Sequence, residues 1–293
     1  MDIRAIALGL LFAVIWSSAF TSARIIVEAA PPLTALSLRF FLSGLLAIGI
    51  AAAMGQTLRL SRSQWRAVLV FGICQNALYL GLNFVAMQTV EASLAAIIAS
   101  AMPLLVAASN WGLFHERLPA MGIAGLFAGF AGVAIIMAAR FNGGADTFGV
   151  VLCLIGVVAL TAATLAVRTA ASDGANLLMV IGLQLLVGSV ALLPPALALE
   201  TVQVDWSWQL VAAFTYTTLM PGLAATFFWF KLVQRIGATR AATFHFLNPF
   251  FGVAIAAALL GERLTLADAV GVVVIAGGIL AVQLARVRPA VEA

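Results

Sequence analysis

Charge is what this sequence has least of. Only 9% of its 293 residues are Asp, Glu, Lys or Arg, against about 25% in an average soluble domain. A chain so poor in charge cannot clothe a water-facing surface, which excludes a soluble globular enzyme. The formal net charge of +4 is therefore no argument for nucleic acid as a partner. Cysteine is nearly absent. Cys74 and Cys153 both lie in apolar runs, so they read as packing residues, and a disulfide framework is excluded. Histidine occurs only at positions 115 and 245, with no HExxH, and no metal centre is expected. No Walker-type phosphate loop is present, so no nucleotide drives the chain directly and no cofactor is expected. Acidic residues are missing from the middle of every apolar run. That argues against proton exchange through a carboxylate and against a carrier dedicated to divalent cations.

What is abundant is apolar length. Hydrophobic residues make up 64% of the chain and the mean hydropathy is +1.14. A helix needs about 20 apolar residues to cross a bilayer. Ten such stretches can be cut, at 5–24, 33–54, 65–87, 92–114, 119–138, 147–168, 176–199, 208–231, 238–260 and 265–285. They are too long, and too free of period-two alternation, for a β-barrel. The first resembles a signal peptide in carrying Arg4 ahead of an apolar run, but Asp2 weakens that reading and nine more spans follow. It is taken as the first transmembrane helix. Linkers are short, so no extramembrane domain is expected.

The chain repeats itself. At an offset of 146 residues, Val90–Leu118 matches Ile236–Leu264. Ala92, Ala95 and Ala96 fall on Ala238, Ala241 and Ala242; Pro103 falls on Pro249; Glu116-Arg117-Leu118 falls on Glu262-Arg263-Leu264. Gln88, Gly125 and Gly132 fall on Gln234, Gly271 and Gly278. Two units follow, 1–142 and 143–293, each of five helices. Arginine and lysine set the orientation. With the N-terminus in the cytoplasm, eleven basic residues lie on that side (Arg4, Arg59, Arg62, Arg66, Arg117, Arg168, Lys231, Arg235, Arg240, Arg286, Arg288) and three on the other (Arg24, Arg140, Arg263). Both termini are then cytoplasmic. Five helices is an odd number, so the second unit enters the membrane upside down relative to the first. Inverted repeats build carriers whose site lies near the midplane.

Two five-helix halves, a proline in the fourth helix of each, and the endings His115-Glu116-Arg117 and Gly261-Glu262-Arg263 resemble the EamA family of the drug/metabolite transporter superfamily. Trp16-Ser17 in the first helix and Arg39-Phe40 in the second are similar to that family's pattern. Within it, the sequence is most similar to amino-acid and metabolite exporters, including the YddG-type aromatic amino acid exporters. The resemblance implies an all-α polytopic membrane protein, basket-like with a central cavity, working as a carrier by alternating access. It also implies an inner-membrane location and a small neutral or zwitterionic substrate. Small multidrug exchangers of the superfamily use a glutamate in the first helix, where this chain has Trp16-Ser17-Ser18. Uniport, or weak proton coupling through His245, remains. The competing classes are a multidrug or quaternary-amine exporter, a channel, and an intramembrane enzyme.

Polar residues in a bilayer are costly and are expected to face a cavity or a partner helix. In the third helix, Asn76, Tyr79 and Asn83 share one face at i, i+3 and i+7, with Gln75 beside them. In the ninth, His245 and Asn248 stand just ahead of Pro249. With Trp16, Ser17, Tyr216 and Trp229, these are the expected substrate-binding residues. The opposing reading of each is helix packing. Pro103, Pro249 and Pro221 are expected to interrupt their helices and to act in gating or in shaping the cavity. Arg39, alone inside a span, is expected to snorkel outward, to pair with Glu28 or Glu91, or to take a substrate carboxylate. Glu116-Arg117 and Glu262-Arg263 are expected to fix loops as ion pairs. Gly122, Gly125, Gly129 and Gly132, with Gly271, Gly277 and Gly278, permit close approach of the fifth and tenth helices about the pseudo-two-fold axis. Dimerisation through the same faces is the competitor to a monomer.

Overall fold

The computed structural model describes residues 3–142, 144–166, 176–236, 241 and 243–287. Among them every regular element is helical, as expected of an all-α polytopic membrane protein. Nine helices are long and apolar enough to cross a membrane: α1 Ile3–Ala29, α2 Pro32–Ala53, α3 Arg62–Ala86, α4 Ala92–Gly112, α5 Ala120–Phe141, α6 Thr147–Ala166, α7 Leu177–Leu199, α8 Trp208–Val233 and α10 Leu266–Ala285. Between the last two lies a shorter apolar helix, α9 Phe244–Leu260. Ala238, Ala242, Arg168, Arg240 and Arg288, which the repeat and the charge count invoked, fall outside the described residues, and so does the side chain of Gln234.

The helices group into two compact units, and each unit takes helices from both halves of the sequence. One comprises Met1–Thr21, Val90–Val150 and Ala224–Ala293; the other comprises Ser22–Thr89 and Val151–Leu223.

In the first unit the most extensive pairing is α5 with α10, and glycine makes it possible. A Cβ on Gly125 would lie 2.8 Å from the Gly278 carbonyl oxygen, and one on Gly278 would lie 2.6 Å from that of Gly125. Gly132 and Gly271 meet in the same reciprocal way, each Cβ position 3.0 Å from the other's carbonyl. Gly125 is the repeat equivalent of Gly271, and Gly132 of Gly278. Each glycine therefore meets the other's equivalent, which is the signature of a two-fold contact. Helix α4 packs on α9, where a Cβ on Gly252 would come within 2.6 Å of Ala96 Cβ.

Ion pairs tie the helix ends of this unit. Arg140 of α5 forks onto fully buried Asp268 of α10 (Nε–Oδ1 and Nη2–Oδ2 both 3.1 Å) and pairs with Glu91 ahead of α4. Asp268 also accepts from the backbone and hydroxyl of Thr265 at 2.8 Å, and its own N–H donates to Thr265 Oγ1, so α10 begins in a capping box. Glu262 does something other than pair with its neighbouring arginine. Its carboxylate accepts the Ala92 and Ser93 backbone N–H groups at 2.8 and 3.0 Å, which satisfies the start of α4.

The second unit repeats the logic. Helices α2 and α7 cross at Gly44 and Gly182, where each Cβ position is 3.0 Å from the other's carbonyl. Ser37 donates to the Ser189 carbonyl at 3.0 Å and Ser189 to the Ser37 carbonyl at 2.8 Å. Glu200, just past α7, accepts from the Leu33 and Thr34 N–H groups and caps α2.

Four helices are irregular. In α4, Ala92–Ser100 and Met102–Gly112 are separate segments joined at Ala101, and Pro103 occupies the first turn of the second. In α9, a tight turn over Thr243–Leu247 leads into Asn248–Leu260, with Pro249 in that segment's first turn. A proline there costs no hydrogen bond, since the amide it lacks has no helical partner at that position. The third irregularity is in α3, which widens to π geometry over Phe71–Leu80. A fourth break, Met220–Ala224 around Pro221, divides α8.

The glycine contacts give a direct test. Gly278→Ala pushes a methyl against backbone atoms that have nowhere to go, and it is expected to cost about 1–3 kcal/mol. At neighbouring Gly277 a Cβ meets nothing within 4 Å, so Gly277→Ala is expected to be neutral or slightly stabilising. Thermal unfolding of the two variants in detergent checks the pair.

Candidate functional site

The expected site residues separate into two groups. Five of them come together in the first unit, around His245. Its ring is wrapped by aromatic side chains: Phe12 lies edge-on at 5.3 Å between centroids, Trp229 at 5.2 Å and Trp16 at 6.5 Å. Phe12 also packs on Trp229 at 5.0 Å and on Trp16 at 5.7 Å. The first part of α1 supplies Phe12 and Trp16 at i and i+4, one face of a helix. The second half of α8 supplies Trp229, and the tight turn before Pro249 supplies His245.

Two polar contacts set the site's chemistry. Asn248 Nδ2 lies 2.9 Å from His245 Nδ1. An amide N–H only donates, so Nδ1 accepts and the neutral imidazole carries its proton on Nε2. Ser17, 1% exposed, donates to the Asn248 carbonyl at 3.2 Å. That carbonyl is in the first turn of the Asn248–Leu260 segment, so Ser17 ties α1 to the helix break. Asn248 Oδ1 is buried and has no hydrogen-bond partner among the described residues. An orphan acceptor beside three aromatic rings and an N–H donor suits a molecule with a ring or aliphatic chain and a polar, hydrogen-bearing head. Phe12, 2% exposed, is the contributor that composition did not single out. Its only sequence signal is the four-residue spacing to Trp16.

The other expected residues lie in the second unit, where the two asparagines bond to helix carbonyls. Asn76 Nδ2 donates to the Gln184 carbonyl of α7 at 2.9 Å, and Gly188 makes room for the asparagine. Asn83 Nδ2 donates to the Tyr79 carbonyl one turn back at 2.8 Å, against Gly156 of α6. Asn76, Tyr79 and Asn83 are 2, 3 and 2% exposed. Gln75 is half-buried, and Tyr216, on the first half of α8, is 37% exposed.

Pro221 is buried in the widened turn of α8. It has no N–H for the Thr217 carbonyl, and Ser43 of α2 donates to the neighbouring Thr218 carbonyl at 3.1 Å. Arg39 is buried and makes no ion pair with any described residue. Glu28 is held by Arg24 and Glu91 by Arg140, and Arg39 stays 6% exposed over the Phe40 ring, 5.1 Å from its centroid.

Helices long enough to span, capped by carboxylates and related by reciprocal contacts between repeat equivalents, define an inverted-repeat membrane transporter. The EamA-like transporter family profile matches residues 3–138 and again 147–284, and the chain belongs to that family. It is 29% identical over 279 residues to the uncharacterized transporter YvbV of Bacillus subtilis, covering 94% of this chain and 91% of that one. An uncharacterized transporter of Archaeoglobus fulgidus is 24% identical over 270 residues, 90% of this chain and 92% of its own length. A solved crystal structure superposes with a TM-score of 0.68 at 19% identity, over 98% of this chain and 100% of that one.

The orphan acceptor predicts an unusual sign. Asn248→Leu removes the bond to His245 but also a buried, unsatisfied oxygen that costs about 1–3 kcal/mol. The variant is expected to melt no lower than the parent in detergent. A drop of several degrees would mean that Oδ1 is already satisfied.

Proposed function

We propose that this protein is a secondary carrier that exports amino acids or related small metabolites across the inner membrane by alternating access, with both termini cytoplasmic. The observation that carries the reading is the aromatic enclosure of His245 at the break of α9, in a chain of a transporter family. Rings at this spacing take an apolar side chain, and the imidazole Nε2–H and Asn248 Oδ1 offer one donor and one acceptor to its polar end. Transport is by uniport or weakly coupled to protons through His245, the one titratable group of the cluster. The interruptions at Ala101–Pro103 and Leu247–Pro249 are the points where α4 and α9 bend during exchange, and Pro221 serves α8 in the same way. The substrate is neutral or zwitterionic, and the working form is a monomer.

A second reading has an observation of its own. Three aromatic faces with an unpaired oxygen also suit a quaternary or primary ammonium, held by cation–π attraction.

Uptake into proteoliposomes of a panel of labelled amino acids, with and without an imposed pH gradient, tests the first reading. Saturable uptake is expected, and His245→Ala is expected to reduce it by an order of magnitude or more. Uptake that needs the gradient in the parent and is indifferent to it in His245→Ala assigns the coupling to the histidine. No amino-acid uptake, together with saturable uptake of tetraalkylammonium ions, would replace the first reading with the second.

A further inference from the structure

A cation is buried in the second unit without a counter-ion. Arg39 lies eight residues into α2, 6% exposed. It makes no ion pair and no hydrogen bond with any described residue, and its Nε is fully enclosed. Carboxylates that the sequence offered as partners are engaged elsewhere. Glu28 pairs with Arg24, Glu91 and Asp268 pair with Arg140, and Glu200 caps the start of α2 itself. A guanidinium offers five N–H donors and keeps its charge under all ordinary conditions. To leave it enclosed and unpaired inside a membrane helix is among the costliest arrangements a protein can adopt, unless something arrives to pair with it.

The surroundings of Arg39 fit an arriving group. The Phe40 ring lies 5.1 Å from the guanidinium carbon, and a ring face takes none of its in-plane N–H groups. Across from it is the break in α8. Gly222 there has no side chain, and a Cβ on it would sit 3.9 Å from Arg39 Nη2 and 3.4 Å from Ser43 Oγ. Any larger residue would fill the space beside the guanidinium. Ser43 donates to the Thr218 carbonyl, the Thr217 carbonyl oxygen lies at the same Gly222 position, and Arg39 Nε has no hydrogen-bond partner among the described residues. One guanidinium balances a single negative charge. A planar, singly charged, two-oxygen group matches the fork of donors.

We infer that Arg39, beside Gly222 at the break of α8, is a recognition residue for the carboxylate of the transported substrate. It rests on the carrier reading above, and names a carboxylate as the group of the cargo that the second unit recognises.

The test measures binding by ligand-dependent thermal shift on the full-length protein in detergent. The probes are phenylalanine, its carboxamide, phenethylamine and 3-phenylpropanoate, with inorganic phosphate and chloride as other anions. The parent is expected to bind the two acids and to bind the amide and the amine at least about 30-fold more weakly. Arg39→Gln is expected to lose that discrimination by weakening the acids alone. Arg39→Lys keeps the charge without the fork and is expected to fall between them. Should Arg39→Gln not fold, the acid-to-amide ratio of the parent and of Arg39→Lys carries the test. Equal binding of acid and amide by the parent would overturn the assignment. So would undiminished acid selectivity in the variants, phosphate or chloride in place of carboxylate, or no acid binding at all. Acid binding that depends on Arg39, without amino-acid uptake by proteoliposomes, would sustain the carboxylate site and overturn the amino-acid reading instead. Amino-acid uptake indifferent to Arg39 would do the reverse.

Discussion

A helix in lipid gains nothing by burying apolar surface against another helix, because the lipid tails are as apolar as the protein. What joins such helices is close packing and polar contact. This fold depends on the first of these at two crossings. At Gly125/Gly278 and Gly132/Gly271 in one unit, and at Gly44/Gly182 in the other, backbones approach to distances that no Cβ would allow. Both crossings are antiparallel and reciprocal. That reciprocity ties the spatial arrangement to the sequence repeat: a pair of equivalent helices can meet its own symmetry mate only if the two copies are inverted. Small residues at these points are therefore a condition for the inverted repeat to close on itself.

The polar residues follow a second constraint. Backbone and side-chain polar groups must be satisfied internally when no water is at hand, and here long-range carboxylates supply much of what helix termini need. Glu262 caps α4 from 170 residues away and Glu200 caps α2 from 167. Arg140 gathers Glu91 and Asp268. The Glu-Arg tripeptide shared by the repeats thus has a definite task in its second copy: the glutamate completes the start of another helix. The serines of α2 and α7 exchange bonds, and Asn76 and Asn83 serve carbonyls. Against such thorough pairing, the few groups left unpaired stand out.

Most of the architecture was legible in the sequence, because hydropathy over about 20 residues reports directly on bilayer physics. The described span ends lie within a few residues of where apolar length placed them; the expected start of α9 at residue 238 lies outside the described residues. Hydropathy does not report hydrogen-bond ring size, so neither the tight turn of Thr243–Leu247 nor the widened turns of Phe71–Leu80 could be read from composition. The candidate site was legible in part. Trp16, Ser17, Trp229, His245 and Asn248 were picked out as aromatic or polar residues in apolar runs, and they share a cluster. Phe12 was missed because a phenylalanine in a membrane helix carries no signal of its own. The partners of Asn76 and of Glu262 were out of reach too, since contacts more than a hundred residues apart leave no trace in a single sequence.

An unsatisfied buried polar group is a standing cost, and proteins keep such groups where something other than stability selects them. Three are found among the described residues: Thr21 Oγ1, Arg39 Nε and Asn248 Oδ1. A threonine hydroxyl rotates and is the cheapest of the three to leave unpaired. The other two are an anion-seeking guanidinium and a donor-seeking carbonyl, one in each compact unit, and each lies beside a proline-marked break, at Pro221 and at Pro249. A helix break frees backbone to move, and an orphan polar group supplies a ligand with differential binding energy for one arrangement over another. Only that difference can shift a conformational equilibrium. The coincidence of break and orphan in both units is what a carrier needs if its cargo, and not an external energy source, is to select the conformation that carries it across.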